Sequence, residues 1–251
     1  MNRTAQFVEH TGNTRPPRLK AALGAALIAC AFGAAPAAQA VVIDFEGLQN
    51  TVLGHDEWFV QGGVRFSGLS YSADALPGDA VGMVVDGSDA GVCVNLACPP
   101  AQTGNYYAGI NDGVLTMSAA GGSGTIRVAG FDASFIGSQL GATYPSVAGF
   151  LRVQGFGANG GTMYEDFLFP GGSKGFAFQH FSTSAAFSAR NFSDVSFFAF
   201  NCEAGGNCSA FQTNKGQFAL DNVIASVPEP TTYLMLLLGL AGIGALARRR
   251  A

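Results

Sequence analysis

Carboxylates are the most plentiful side chains of this chain that could take part in catalysis or binding. The chain has 17 acidic residues and only three histidines. Three close pairs of acids have the composition of a glycosidase pair: Asp44 with Glu46, Asp56 with Glu57, and Glu165 with Asp166. Neighbouring residues of a strand point to opposite faces of a sheet, so the two adjacent pairs cannot cooperate within regular strands. We therefore expect solvated acids, no catalytic residues and no enzyme activity, with a carboxylate hydrolase as the alternative.

Two glycine-rich strings imitate catalytic motifs. Residues 155–160 spell G-x-G-x-x-G, and residues 171–175 spell G-x-S-x-G. Both motifs need a following helix, and the pattern after the first string is that of a strand. His180 is too near the second string in sequence to act as the base of such a motif, and His55 lies upstream of it. The sequence therefore gives little support to a nucleophile activated by a histidine.

Two binding functions remain open for the polar and aromatic residues. Trp58, which has polar neighbours, is the best aromatic platform for a sugar, although a Trp packed on the edge of the fold would look the same. Calcium takes oxygen ligands from carboxylates and amides. If the first and last strands are neighbours, Asp44 or Glu46 would approach Asp221 or Asn222 and hold a structural calcium ion; the alternative is no metal.

The body of the chain, residues 41–227, has the composition of an all-β domain. It holds 19 of the 21 Phe and carries a formal charge of −9, which argues against nucleic-acid binding. Short apolar or alternating runs separated by Gly, Asn and Pro turns predict antiparallel strands. The runs are 41–45, 64–66, 81–85, 106–110, 114–117, 125–135, 149–156, 162–169, 176–181, 195–200 and 217–225. We expect a β-sandwich of the jelly-roll type over residues 41–225, with no helix in it.

The first 40 residues have the pattern of a cleaved signal peptide. Arg15, Arg18 and Lys20 precede the apolar run 21–35, and Ala38-Gln39-Ala40 has small residues where signal peptidase cleaves. We therefore expect export by the Sec machinery.

The other end, residues 226–251, has three parts in a fixed order. Pro228, Glu229 and Pro230 come first, then an uncharged segment, Thr231–Ala247, and then Arg248, Arg249 and Arg250. A helix of that length reaches roughly 25 Å, the short limit for crossing a bilayer. The arginines would stay on the cytoplasmic side.

This end resembles the PEP-CTERM sorting signal of Gram-negative bacteria. The resemblance implies transient anchoring in the inner membrane, processing near the motif by an exosortase, and release to the outer surface or an extracellular polysaccharide matrix. The body also resembles a family of exported proteins named for a Q-F-x-x-D motif, to which Gln217, Phe218 and Asp221 correspond. That family implies an architecture and a sorting route rather than a reaction.

Export to an oxidising compartment predicts disulfides among the four cysteines of the body. The local pairs Cys93–Cys98 and Cys202–Cys208 enclose short loops with turn residues. Zinc is the poorer interpretation, because both spacings fit it badly and no histidine is near. Short loops lose little chain entropy, so each bridge should hold a loop rather than the fold.

These observations predict a non-enzymatic, exosortase-processed protein with a structural or adhesive role in exopolysaccharide or biofilm. A calcium-dependent carbohydrate-binding module is the alternative, and a carboxylate glycoside hydrolase is a further one. An outward-facing row of aromatic residues would favour the carbohydrate-binding module. Two carboxylates facing each other in a cleft would favour the hydrolase.

Overall fold

The computed structural model describes residues 40–48, 50–71, 75–89, 93–99, 104–122, 124–171, 176–227, 239–240 and 242–244. Its contacts divide the chain into two units, of which Ala37–Pro230 contains the fold below. Residues 239–240 and 242–244, in the other unit, are helical. The predicted signal peptide up to residue 39 and the residues of the sorting motif lie outside the described residues.

The described body consists of strands and one helical turn. The strands are β1 (Ala40–Ile43), β2 (Val52–Gly54), β3 (Trp58–Gln61), β4 (Val64–Leu69), β5 (Ala80–Asp86), β6 (Asn105–Gly109), β7 (Val114–Ala119), β8 (Arg127–Phe135), β9 (Val147–Phe156), β10 (Thr162–Pro170), β11 (Gln179–Ser182), β12 (Asp194–Cys202), β13 (Cys208–Ser209) and β14 (Phe218–Ser226). The helical turn α1 is Ala185–Ser188.

These strands form two antiparallel sheets of seven strands each, so the predicted β-sandwich is confirmed. Sheet 1 has the order β11-β8-β14-β6-β5-β2, with β1 on β14. Sheet 2 has the order β10-β9-β12-β7-β4-β3, with β13 on β12. After β4 the chain passes repeatedly from one sheet to the other, which is the connectivity expected of a jelly roll.

The core lies between the sheets and is largely aromatic. Phe131 of sheet 1 packs edge-on against Phe197 and Phe167 of sheet 2, with ring centroids 5.5 and 5.1 Å apart. Phe45 meets Phe66 in the same way at 5.6 Å. Each buried phenylalanine removes a large apolar area from water, which is the main force that holds the sheets together.

The outer face of sheet 1 carries a second, smaller hydrophobic cluster. Tyr106 and Val85 belong to it, and Phe178 and Cys98 pack against it from loops. Burial raises the pKa of Tyr106 to about 12, because ionisation would place a charge in this apolar surrounding. Part of this face is therefore closed by the loops that cross it.

The last strand, β14, is the centre of sheet 1. One side of β14 pairs with β8, and the other side pairs with β6 over its first half and with β1 over its second half. The first strand therefore lies beside the last one, with Ile43 opposite Val223. The calcium prediction assumed that the first and last strands are neighbours, and this pairing of the two strands is confirmed.

The loop before β14 is held by one buried carboxylate. Asp112, 5% exposed, accepts hydrogen bonds from the amides of Thr213, Asn214 and Gly216 at 3.3, 2.9 and 2.6 Å. Its backbone φ is +53°, a left-handed conformation that Asp and Asn tolerate better than most residues. Asp112 thus links the β6–β7 turn to the start of the last strand.

Both predicted disulfides are present, Cys93–Cys98 and Cys202–Cys208, with Cα separations of 6.0 and 4.0 Å. The sequence analysis misplaced one strand and did not foresee one helical turn. The strand expected at 176–181 is Gln179–Ser182, because Phe176 fills the main core and Phe178 the smaller cluster from an irregular segment. The helical turn α1 was not expected; Ser184 caps it by accepting from the amide of Phe187, whose side chain is buried.

Candidate functional site

The outer face of sheet 2 carries side chains that a purely structural sheet would not need. On β12, Val195, Phe197 and Ala199 point into the core, as strand alternation requires. The intervening Phe198 and Phe200 therefore point outward, where they are only partly buried. This outward placement of large aromatic rings first draws attention to the face.

One row of residues crosses the whole of sheet 2 in register. Its members share the outer face and occupy one residue on each strand of the order β3-β4-β7-β12-β9-β10: Trp58, Ser67, Thr116, Ser196, Gln154 and Tyr164. We call it the cross-sheet row. Five strand spacings of about 4.8 Å make it about 24 Å long.

The two ends of the cross-sheet row differ from its middle. Trp58 and Tyr164, at the ends, are 56% and 57% exposed. Ser196 in the middle is 7% exposed, and its hydroxyl lies 2.9 Å from that of Thr116. The row thus has an exposed aromatic ring at each end and hydroxyl and amide groups between them.

An arginine stacks on each terminal ring. The guanidinium carbon of Arg65 lies 4.7 Å from the centre of the Trp58 ring, and that of Arg152 lies 4.2 Å from the centre of Tyr164. Two hydrogen bonds of 2.7 and 2.8 Å join Arg152 to Asp166 and raise the pKa of the guanidinium. The stacking limits the movement of both rings, which reduces the entropy that a ligand would otherwise have to overcome.

A patch of further rings adjoins the Tyr164 end. Phe150 and Phe200 stack with centroids 4.3 Å apart, and Phe198 packs on Phe211 at 5.2 Å. Tyr71 extends the patch from Phe211 at 5.0 Å. We call these five residues the aromatic patch.

The cross-sheet row and the aromatic patch together form one surface, and a depression borders each of its ends. One, of about 460 Å³, lies on Phe200 and Phe211 of the aromatic patch and on the polar residues Glu203, Asn207 and Gln212. The Cys202–Cys208 disulfide closes the loop that supplies Glu203 and Asn207. The other, of about 370 Å³, borders Trp58 together with Asp56 and Glu57.

Trp58 is the residue of this surface that the sequence analysis named. Tyr164, Arg152, Phe198 and Phe200 were not singled out. Every residue of 197–200 is apolar, so the outward phenylalanines looked like core. The pairing of Tyr164 with its neighbours across the sheet has no signal in the sequence.

The candidate carboxylate pairs have separate roles in the fold. Glu165 accepts from the amide of Ser184, whereas Asp166 binds Arg152 on the opposite face of β10, as strand alternation predicted. Glu57 accepts from the amide of Gly54 at 2.8 Å, and Asp56 lies in a turn with φ of +65°.

The residues proposed for calcium have partners within the protein. Asp44 accepts from the amide of Glu46 and from the side chain of Gln61, both at 3.1 Å. Glu46 in turn accepts from the amide of Asn105 at 2.9 Å. Asp221 accepts from the amide of Asn222 at 2.7 Å. Among the described residues, no group of three or more His, Cys, Asp or Glu side chains could hold a metal ion. Calcium binding by these four residues stays a prediction.

Comparison with solved structures finds sandwiches of remote similarity. A family 29 carbohydrate-binding module, in a mutant form, is 11% identical, with 76% of this chain and 87% of that one covered and a TM-score of 0.31. The CBM22-1 xylan-binding domain of Paenibacillus barcinonensis is also 11% identical, with 78% and 99% covered and a TM-score of 0.32. Similarity at this level carries no argument about function. No curated protein matches the chain.

The C-terminal end gives the decisive comparison. The family model for the PEP-CTERM protein-sorting motif matches residues 226–250. Within the part of the chain that the structure describes, no helix combines the length and apolarity needed to cross a bilayer. Most of the predicted membrane segment, 231–247, lies outside that part. The matched motif directs export, transient membrane anchoring and exosortase processing, and this chain is therefore a PEP-CTERM protein.

Proposed function

We propose that this exported protein is a glycan-binding component of the cell surface or extracellular polysaccharide matrix. It holds a polysaccharide segment across the outer face of sheet 2, along the cross-sheet row. The observation that carries the proposal is the row itself, with Trp58 and Tyr164 exposed at its ends and hydrogen-bonding side chains between them.

The chemistry of the row suits a sugar polymer. A pyranose ring has an apolar face of C–H groups, which packs on an aromatic ring, and a rim of hydroxyls, which bond to hydroxyl and amide side chains. Trp58 and Tyr164 supply the rings, and Ser67, Thr116 and Gln154 supply the polar partners. A row about 24 Å long that runs across the sheet suits an extended oligosaccharide better than a single sugar.

The charge of the domain and its sorting route support the same ligand. A body with a formal charge of −9 repels nucleic acid, whereas uncharged sugars are indifferent to it. Exosortase-directed export brings the protein to the compartment in which extracellular polysaccharide accumulates. Binding to that polymer would give the protein the adhesive role expected from the sequence.

Affinity electrophoresis of the full chain in gels that contain neutral polysaccharides, followed by titration calorimetry with oligosaccharides, tests the proposal. Trp58→Ala and Tyr164→Ala should each weaken binding by about tenfold or more, as truncation of a buried aromatic contact does. Leu140→Ala, which removes a side chain that is 63% exposed away from sheet 2, is the matched control and should bind normally.

Two results would contradict the proposal. One is failure of the unmodified chain to bind any polysaccharide, including extracellular polymer from a strain that makes the protein. The other is binding that the Trp58 and Tyr164 variants leave unchanged, which would place the ligand elsewhere.

A further inference from the structure

A polar cluster on sheet 1 lies away from the proposed glycan face and combines a serine, a histidine and a carboxylate. The hydroxyl of Ser182 lies 3.5 Å from Nε2 of His180. Nδ1 of the same ring lies 2.8 Å from Oδ1 of Asp132. Oδ2 of Asp132 accepts from the side-chain amide of Asn222 at 2.9 Å. The serine is not part of the G-x-S-x-G string.

Strand pairing explains why His180 meets Asp132. The two residues are opposite each other on β11 and β8, and the amide of Thr183, three residues along, bonds to the carbonyl of Ala129. Because hydrogen-bonded and non-hydrogen-bonded pairs alternate, His180 and Asp132 form a non-hydrogen-bonded pair, in which side chains come closest. Ser182 follows two residues later and therefore points to the same face.

The residue opposite Ser182 leaves room beside the imidazole. It is Gly130, and a Cβ added there would lie 3.5 Å from Nε2 of His180 and 2.9 Å from the carbonyl oxygen of Phe181. A larger residue at 130 would therefore crowd the space next to the serine hydroxyl. His180 is 57% exposed, so this space opens to solvent.

An irregularity in β14 fixes the orientation of the carboxylate. The pairing of β14 with β8 shifts after Asp221, and Asn222 takes a φ of +48° at that point. The amide of Asn222 then reaches Asp132 and, at 3.3 Å, Asp221. With one oxygen of Asp132 engaged by Asn222, the other is directed at His180.

These contacts determine how the imidazole is protonated. An ionised carboxylate only accepts hydrogen bonds, so Nδ1 of His180 carries the proton that it donates to Asp132. Nε2 is then left as an acceptor facing the hydroxyl of Ser182. A nucleophile within reach of a base that a third group orients is the arrangement used for covalent catalysis, and it is often looser before a ligand binds.

We propose that Ser182 is a nucleophile that removes small acyl groups from esters presented to this face. Ser182 Oγ attacks the ester carbonyl while its proton passes to Nε2 of His180, and the alcohol leaves with that proton. Water, deprotonated by the same nitrogen, then releases the acid and restores the serine. Among the described strands, β11 pairs with β8 alone, so the amide of Ser182 points away from β8 at the edge of sheet 1, where it can donate to the oxyanion.

The open position of the cluster indicates its substrate class. An acyl group carried on a polymer, such as an O-acylated sugar chain, can reach a serine on an exposed strand without entering a cavity. This activity is additional to glycan binding and uses none of the residues of the cross-sheet row.

The test uses the full chain with a fluorophosphonate probe, which labels activated serines, and with 4-nitrophenyl acetate. We expect labelling on the peptide that contains Ser182 and ester hydrolysis above background. Ser182→Ala should abolish both, and His180→Gln, an exposed change that should not disturb folding, should lower both by about a hundredfold. Ser146→Ala, which changes another exposed serine, is the matched control and should behave as the unmodified chain.

Asp132→Asn provides a sharper test than removal of the side chain. Its amide oxygen would keep the bond from Asn222, so its NH2 group would face Nδ1 of His180 and force the proton onto Nε2. The variant should fold but lose labelling by about a hundredfold. Labelling or hydrolysis that Ser182→Ala or His180→Gln leaves intact would overturn the proposal, as would no labelling in the unmodified chain. Glycan binding should be unchanged in all of these variants, so the two proposals can fail separately.

Discussion

At the scale of single residues, Asp112 shows how one buried side chain can determine the course of a loop. Its three amide donors belong to the segment that leads into β14. In the sequence, the Asn111-Asp112-Gly113 string indicates only a turn, because a turn signal does not reveal which distant amides the side chain binds.

Asp112→Ala should lower the free energy of unfolding by about 2–3 kcal/mol, because it leaves the three amides without their charged acceptor. Asp112→Asn, which keeps one acceptor oxygen and tolerates the positive φ, should cost less than Asp112→Ala. Urea unfolding followed by circular dichroism measures both values. A loss well below 1 kcal/mol in both variants would show that the carboxylate contributes little.

The buried tyrosines predict how stability depends on alkaline pH. Burial raises the pKa of Tyr106 from its ordinary value of 10.0 to about 12, and it raises the pKa of Tyr107 as well. The protonated tyrosines contribute stability that is fully present below pH 10, which is the pKa of tyrosine in the unfolded chain. This stability is lost as the pH rises from 10 through the folded value of Tyr106, because only the unfolded chain ionises there.

Thermal unfolding between pH 8 and pH 11.5 should show a melting temperature that falls above pH 10. Tyr106→Phe cannot ionise and should flatten that fall, since each buried tyrosine contributes about 1.4 kcal/mol per pH unit in this window. Tyr144→Phe, which changes a less buried ring, is the comparison. If the melting temperature of Tyr106→Phe falls as steeply with pH as that of the unmodified chain, Tyr106 does not contribute to the pH dependence.

At the scale of elements, the two disulfide loops have the same chemistry but cover different faces. The Cys93–Cys98 bridge lies beside the smaller hydrophobic cluster of sheet 1, and Cys202–Cys208 closes the loop at the aromatic patch of sheet 2. Both pairings followed from the spacing of the cysteines. The faces that they cover could not be predicted, because a loop has no alternation that assigns it to a side.

Replacing Cys202 and Cys208 together by alanine should lower stability by about 2 kcal/mol, as expected for a short closed loop. It should also weaken glycan binding several-fold, because Glu203 and Asn207 lose their fixed positions at the depression. The Cys93/Cys98 double alanine variant is the matched control. It should lose a similar amount of stability but keep its full affinity for the glycan. Titration calorimetry alongside thermal unfolding separates the two effects, and equal affinity in both double variants would contradict this prediction.

The strands themselves were predictable to different degrees. Long alternating runs such as those of β9 and β10 were placed correctly to within a few residues, because one face of each is buried. Strands of three or four residues such as β2 and β3 were missed, since a run that short has no visible period. The cross-sheet row could not be predicted from the sequence for another reason. It depends on the register between strands that are distant in sequence, and only the packed sheet determines that register.

At the scale of the whole molecule, the sorting signal was the part most firmly established by sequence, because its order of proline, apolar segment and arginine is linear. We predict that the mature protein lacks residues 1–40 and is processed near Pro228-Glu229-Pro230. Mass spectrometry of surface material should find neither end of the full chain. An intact C-terminus at Ala251, from a strain with an exosortase, would show that the motif is not used.

The position of β14 has a consequence for the order of events during export. This strand lies between β8 on one side and β6 and β1 on the other. The two parts of sheet 1 therefore cannot join until the residues of β14 have left the translocation channel. The matched sorting signal begins at residue 226, which is the last residue of this strand. Sheet 1 therefore cannot be complete before the residues that immediately precede the sorting signal are available. A protein stalled or truncated before Phe218 would lack the centre of a sheet and could not mature. Because the processing signal follows the strand that completes sheet 1, any chain released by cleavage at the motif contains every strand of the sandwich.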